Sequence, residues 1–212
     1  ETAISQDAFR GCTALASVKF GAGLQEIQES AFRGCTALDN LVLPAKLGTI
    51  GKTAFADCTG MTAATIGKAV ATIADMAFMN CTALGAITLP EGVKSVGNSA
   101  FQGCTSLSEA TIGDGVQTIG SSAFRGCTDL RTATVGVGVQ TIGGSAFRDC
   151  QHLNAITLPD ALTALGDSAF YNCTGLTRAV TGNGLTAIAP YTFYGCTGMT
   201  STTFGKAITS IK

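Results

Sequence analysis

Ser122-Ala123-Phe124-Arg125-Gly126-Cys127-Thr128-Asp129-Leu130-Arg131-Thr132-Ala133-Thr134-Val135-Gly136-Val137-Gly138-Val139-Gln140-Thr141-Ile142-Gly143-Gly144 is one full period of this chain. The following Ser145-Ala146-Phe147-Arg148-Asp149-Cys150 begins it again. Nine cysteines, at positions 12, 35, 58, 81, 104, 127, 150, 173 and 196, stand 23 residues apart without an insertion or deletion. A repeat this strict predicts a solenoid, in which each coil stacks on its neighbours and buries its apolar face only against them. The 212 residues read as a single elongated domain, residues 1–212, of about nine coils.

Aligned on the cysteine, the inward positions become columns. Phe stands three residues before every Cys, from Phe9 to Phe193, and Ala precedes it in every coil except the last, where Thr192 replaces it. Leu or Met stands three after the Cys, as at Leu15, Leu38, Met61, Leu84 and Leu153. Ala86-Ile87-Thr88-Leu89-Pro90 alternates apolar and polar residues, which predicts a short one-sided strand closed by Pro or Gly. Val116-Gln117-Thr118-Ile119-Gly120 predicts a second extended piece. Ser or Thr directly before Ala-Phe (Ser30, Thr53, Ser99, Ser122, Ser145, Ser168) suits the N-cap of one turn of helix or 3₁₀-helix. The residue before each Cys is only Gly, Asp or Asn, the types that tolerate a left-handed backbone, so positive φ is expected there.

Ser-Ala-Phe-Arg-Gly-Cys-Thr followed by Leu, Ile-Thr-Leu-Pro, Val and Ile-Gly resembles the BspA-like (Treponema-type) leucine-rich repeat over essentially the whole chain. The resemblance implies a right-handed leucine-rich-repeat superhelix with a parallel β-sheet. It also implies adhesion or protein binding at a cell surface or outside the cell. This chain departs by carrying Ala at the first strand column, at Ala64, Ala110, Ala133 and Ala179.

The net charge of −1 gives no electrostatic case for nucleic acid or an anionic membrane. No run of about 18 apolar residues predicts membrane insertion. Glu1-Thr2-Ala3-Ile4 carries no basic region followed by an apolar stretch, so no signal peptide is read there. Stacked cysteines about 4.8 Å apart and pointing one way are too far apart at Cβ for disulfides, so a reduced ladder is expected. Sulfurs in a line do not converge as zinc ligands. A serine at Cys104 would leave a hydroxyl unpaired in an apolar stack. His152, the only histidine, falls in a solvated turn, and the Asp residues occupy turn positions. No catalytic set, cofactor site or metal site emerges. Asn80-Cys81-Thr82 and Asn172-Cys173-Thr174 match the glycosylation pattern, but both Asn stand in the Gly/Asp/Asn turn column.

Two outward columns are candidate binding faces. The column two residues before each Cys turns from Arg to Tyr along the chain, giving Arg125, Arg148, Tyr171 and Tyr194, with Tyr191 nearby. Tyr and Arg are enriched in protein-binding hot spots. The other is a Thr rank, Thr65, Thr88, Thr111, Thr134 and Thr157, accompanied by Thr49, Thr72, Ser95, Thr118 and Thr141 in the second extended piece. The leading expectation is a non-enzymatic recognition scaffold for a protein or glycoprotein ligand. Its alternatives are an ice-binding protein using Thr ranks on a flat face, or a structural subunit of a larger assembly. The chain begins and ends at the same Ile column, which predicts a piece of a longer array. It also predicts end-to-end contact through uncapped coils.

Overall fold

The computed structural model describes residues 1–212. Its strands are all short and all parallel, and every pair joins positions 23 residues apart, as in Thr118↔Thr141 and Thr88↔Thr111. One eight-stranded sheet runs from Ala3–Ile4 to Ala164–Leu165, built from the second extended piece of successive coils. A six-stranded sheet, from Ala86–Leu89 to Ser201–Thr203, carries the Ile-Thr-Leu segments. Leu41–Val42 pairs with Ala64–Thr65, and Ala187–Ile188 with Ser210–Ile211, extending the same two ranks. The structure is thus a parallel β-solenoid, and no helix in it is long and apolar enough to cross a membrane.

Only 19 of the 129 backbone hydrogen bonds lie within strands, so turns and coil-to-coil bonds outside the strands carry most of the architecture. Around Phe124 the N–H groups alternate in direction. Ser122, Phe124 and Gly126 donate to the next coil, at Gly144, Ala146 and Arg148, over 2.8–2.9 Å. Ala123, Arg125 and Cys127 donate back to Gly120, Ser122 and Phe124 over 3.0–3.3 Å. This alternation replaces the helical turn expected from the sequence. Ser122 has φ +57, as do Ser30, Ser99, Ser145 and Ser168 within a few degrees, and even Thr53, Met76 and Tyr191 adopt the left-handed region there. An N-cap residue takes β-region angles, and a helix needs its N–H groups aimed along its own axis; neither condition holds. The Ser column is therefore a second left-handed hinge. The first is the one expected from residue type: all nine Gly, Asp or Asn residues before the cysteines have positive φ.

Between the two hinges the Ala-Phe segment turns its ring inward. Phe32, Phe55, Phe78, Phe101, Phe124, Phe147 and Phe170 are fully buried. The nine rings form one stack, with centroids 5.0–5.6 Å apart and planes within 14° of parallel. Leu, Ile, Val and Cys columns pack beside it in a single continuous core of 54 buried residues.

Replacing Phe124 by Ala removes a ring from the middle of this stack and is expected to cost about 3–5 kcal/mol in chemical denaturation. Gly126, at φ +71, has nothing within 4 Å of a built Cβ, so its constraint is conformational. Gly126→Asn is expected to stay within about 0.5 kcal/mol of the parent, and Gly126→Val to lose more than about 1 kcal/mol.

Candidate functional site

The outward side chain two residues before each Cys is held by the hinge that follows it, so successive coils hold these side chains one above another. Arg125 Nε lies 3.8 Å and Arg148 Nε 3.5 Å from the same carboxylate oxygen of Asp149. The other oxygen of Asp149 accepts a 3.0 Å hydrogen bond from the Asn172 amide. The Arg148 guanidinium sits 4.3 Å from the centroid of Tyr171, a cation–π contact. Tyr171 stacks on Tyr194 at 5.0 Å and 18°, and Tyr191 meets Tyr194 edge-on at 6.1 Å and 76°. All five sequence-predicted residues are thus brought into one unbroken stripe. Tyr171, with a coil on either side, is half-buried, and Tyr191 and Tyr194 stand in the last coil.

Asp149 is the member that the sequence reading missed, because Asp in that column is already explained by its φ of +62. The signal was available in the combination, since Arg33, Asp57 and Asn80 repeat it. Arg33 Nε is 3.2 Å from Asp57, which accepts from Asn80 at 2.9 Å. Both sequon amides are consequently engaged by a neighbouring carboxylate.

Thr65, Thr88, Thr111, Thr134 and Thr157 are all exposed on the outer face of the Ile-Thr-Leu strands. Thr88, Thr111 and Thr134 lie in direct register, but the rank is broken by Val180, which stands between Thr157 and Thr203. The outward column beside it holds Ala86, Glu109, Thr132, Ala155 and Arg178, so the six-stranded sheet has one Thr rank and charged neighbours. A shallow groove of about 420 Å³ crosses it at Thr134, Val137, Thr157 and Pro159.

The family model for the BspA type leucine rich repeat region matches residues 2–131 and 117–212, which together take in nearly the whole chain. The chain belongs to this leucine-rich repeat family. Among solved structures it is similar to a leucine-rich repeat protein from Bacteroides ovatus, at 25% identity and TM-score 0.71, covering 99% of this chain and 66% of that one. The leucine-rich repeat protein of T. pallidum is 27% identical with TM-score 0.66, covering 81% of this chain and 72% of the other. A leucine-rich cell surface protein from Faecalibacterium prausnitzii shares the fold at 22% identity and TM-score 0.50, over 96% and 69% of the two chains. No curated protein matches the chain.

Inside this leucine-rich-repeat core all nine cysteines are free thiols, fully buried from Cys35 to Cys173. Each of the eight from Cys35 onward donates its S–H to the Phe carbonyl 26 residues earlier, as Cys104 does to Phe78 at 3.2 Å. The expectation for serine at Cys104 is corrected on this point: an acceptor waits there, and a hydroxyl would be partnered. Burial pushes the Cys58 thiol up to about 12, and drives Cys81, Cys104, Cys127 and Cys150 upward as well. That is the wrong direction for a nucleophile, which needs a stabilised thiolate. No three His, Cys, Asp or Glu side chains converge as metal ligands. His152 is exposed, with Nδ1 2.8 Å from the Thr128 carbonyl and 3.5 Å from Asp129.

Thiol-reactive dye is expected to label Cys12 and Cys196 natively and all nine cysteines after denaturation without reductant. Raised thiol values also fix a pH dependence. Below the unfolded value of about 8.5 both states hold the proton and stability is unaffected. Above it the unfolded chain ionises first, so each such thiol removes about 1.4 kcal/mol per pH unit until its folded value is reached. Stability is expected to fall steeply between roughly pH 9 and 12, and less steeply when Cys81 and Cys104 are serine. At neutral pH Cys104→Ser is expected to cost only about 1 kcal/mol, and less than Cys104→Val, which loses the donor and adds a methyl group.

Proposed function

We propose that this chain is a non-enzymatic protein-binding scaffold acting at a cell surface or outside the cell, and that it engages its partner through the Arg125–Tyr191 stripe. The observation that carries this reading is the outward stripe itself, in which Arg125, Arg148, Tyr171 and Tyr194 hold one column on successive coils and touch in sequence. Outward aromatic side chains are large, rigid contact area obtained at little entropic cost, and Tyr and Arg are enriched among the residues that dominate interface energetics. Membership of the leucine-rich repeat family supports a scaffold role. The buried thiols fit an oxidising surroundings as well as a reducing one, because stacked and sealed sulfurs are withheld from exchange.

The test compares partners captured from the native environment by the parent and by a variant carrying Arg125→Glu, Arg148→Glu, Tyr171→Ala and Tyr194→Ala. Loss of specific capture, with an unchanged circular dichroism spectrum, is the expected outcome. Retention of the same partners at the same yield removes this face as the binding surface.

A further inference from the structure

The strands of the Ile-Thr-Leu rank end on a residue that is Gly in some coils and Pro in others, and pairing with the coil before follows that choice. Where it is Gly (Gly67, Gly113, Gly136, Gly182, Gly205), every residue of the shorter strand is in register with the coil before, as in Ala86↔Glu109 through Leu89↔Ile112. Where it is Pro90, Ala86–Leu89 has no pairing with Ala64–Thr65. Where it is Pro159, the ladder of Ala155–Thr157 stops after its first pair, Thr132↔Ala155. The physical cause is room. A Cβ built on any of those five glycines would lie within 2.8 Å of main-chain atoms of the coil before, so the coils meet there through bare backbone. A pyrrolidine ring cannot enter that space, and Pro has no N–H to make the bond that Gly113 makes to the Leu89 carbonyl at 3.0 Å.

The effect is plain at Ile66. Leu43, Leu158 and Thr181, its equivalents in other coils, donate their N–H to the next coil over 2.9–3.1 Å. The Ile66 N–H has no protein acceptor and its carbonyl no protein donor, although the residue is buried. Shallow grooves of about 330 Å³ and 420 Å³ open over the two seams, the first lined by Thr65, Ile66, Lys68, Thr88 and Pro90. The opposite side of the same coils stays closed. Thr72↔Ser95 and Thr141↔Ala164 pair in register, and the Phe55 and Phe124 N–H groups keep their 2.8 Å bonds to the next coil. Across the first seam the planes of Phe55 and Phe78 diverge by 14°, the widest angle in the stack.

We propose that Pro90 and Pro159 are built-in flexure points, at which the solenoid opens and closes on its six-stranded side while the Phe column and the eight-stranded sheet hold the other side fixed. Both lie inside the chain, with whole coils before and after them. The continuously paired coils from Ala86 to Val135 and from Ala155 to Thr203 move as blocks. Bending at the first seam breaks no strand pairing, whereas bending between any two coils of a block breaks a ladder. The outward Thr face thus changes its curvature at the seams, while the Arg125–Tyr171 stripe, carried beside the Phe column, keeps its spacing. This is a property of the scaffold and holds whatever the partner.

Two measurements on the whole chain test it. The first is amide hydrogen exchange at single-residue resolution. Ile66 is expected to exchange at least a hundredfold faster than Leu43 and Leu158, and Pro90→Gly to slow it at least tenfold. Gly97, whose N–H bonds Ile73 at 2.8 Å on the closed side, is expected to stay slow in both proteins. Slowing is the diagnostic direction, since Gly in place of Pro by itself loosens a chain. Gly113→Pro is expected to do the reverse and speed exchange at Leu89; should that chain not fold, Pro90→Gly decides. Ile66 as slow as Leu43, or unmoved by Pro90→Gly, overturns the proposal. The second measurement places nitroxide pairs in a Cys12→Ser, Cys196→Ser background, at Thr65→Cys with Thr157→Cys across both seams and at Thr72→Cys with Ala164→Cys on the closed side. Each pair spans the same four coils, roughly 19 Å. Pulsed electron resonance is expected to give the first pair the wider distance distribution, narrowed by Pro90→Gly combined with Pro159→Gly. Equal widths on the two sides, or a width that the double variant leaves unchanged, overturns the proposal.

Discussion

The forward hydrogen bond of the Phe column sets everything else. Phe124 N–H reaches the Ala146 carbonyl over 2.8 Å, and the equivalent bond recurs through the stack, from Phe9 to Ala31 at 2.7 Å up to Phe170 to Thr192 at 2.9 Å. It fixes how far one coil can rise above another at the place where the largest side chain lies. The rings follow at 5.0–5.6 Å, stacked because their backbones are tied. Making that bond requires the N–H to point along the solenoid axis, which requires a left-handed hinge on each side. Each non-glycine hinge costs on the order of 1 kcal/mol, a cost offset by the burial of a Phe, an Ala and a Cys in the same turn.

The same rise explains the sulfurs. A chain tied at this pitch holds its Cys side chains parallel, too far apart at Cβ to bridge, and over the Phe carbonyls of the coil before. Those carbonyls already accept the Cys N–H of their own turn, as Phe78 does from Cys81 at 3.3 Å. Their second lone pair is free to take a thiol. Cysteine suits the site because it is small, apolar enough for the core and still a weak donor. The alkaline sensitivity expected of the fold would therefore be a by-product of the packing.

Much of the fold was legible because a 23-residue register makes every column visible at once. The Gly, Asp or Asn column before Cys could be read as left-handed, since those three residues share little else. The Ser column could not, because Ser is equally at home as an N-cap, and only the backbone of the neighbouring coil decides between the two. The S–H acceptor was hidden for a related reason: it lies 26 residues away on a main-chain carbonyl, and carbonyls leave no mark in a sequence. At the candidate site, Arg125, Arg148 and the tyrosines were visible as residue types. Asp149 was not, since its conformational role already explained its identity.

The repeated Arg–Asp–Asn arrangement separates scaffold from surface. Arg33, Asp57 and Asn80 and then Arg125, Asp149 and Asn172 make the same contacts four coils apart. A contact that recurs at a multiple of the period belongs to the solenoid, joining one turn to the next. On the three coils after the first copy the stripe carries Ala56, Met79 and Gln102, whereas on the three coils after the second the same column carries Arg148, Tyr171 and Tyr194. The backbone at both places is the same and asks for nothing aromatic. Tyr191 adds a fourth departure, at a hinge where its bulk works against the conformation it must hold. In a chain whose columns are otherwise filled by packing needs, these side chains, gathered on adjacent coils and turned outward, are ones that the packing does not require, and the proposed binding face rests on that difference.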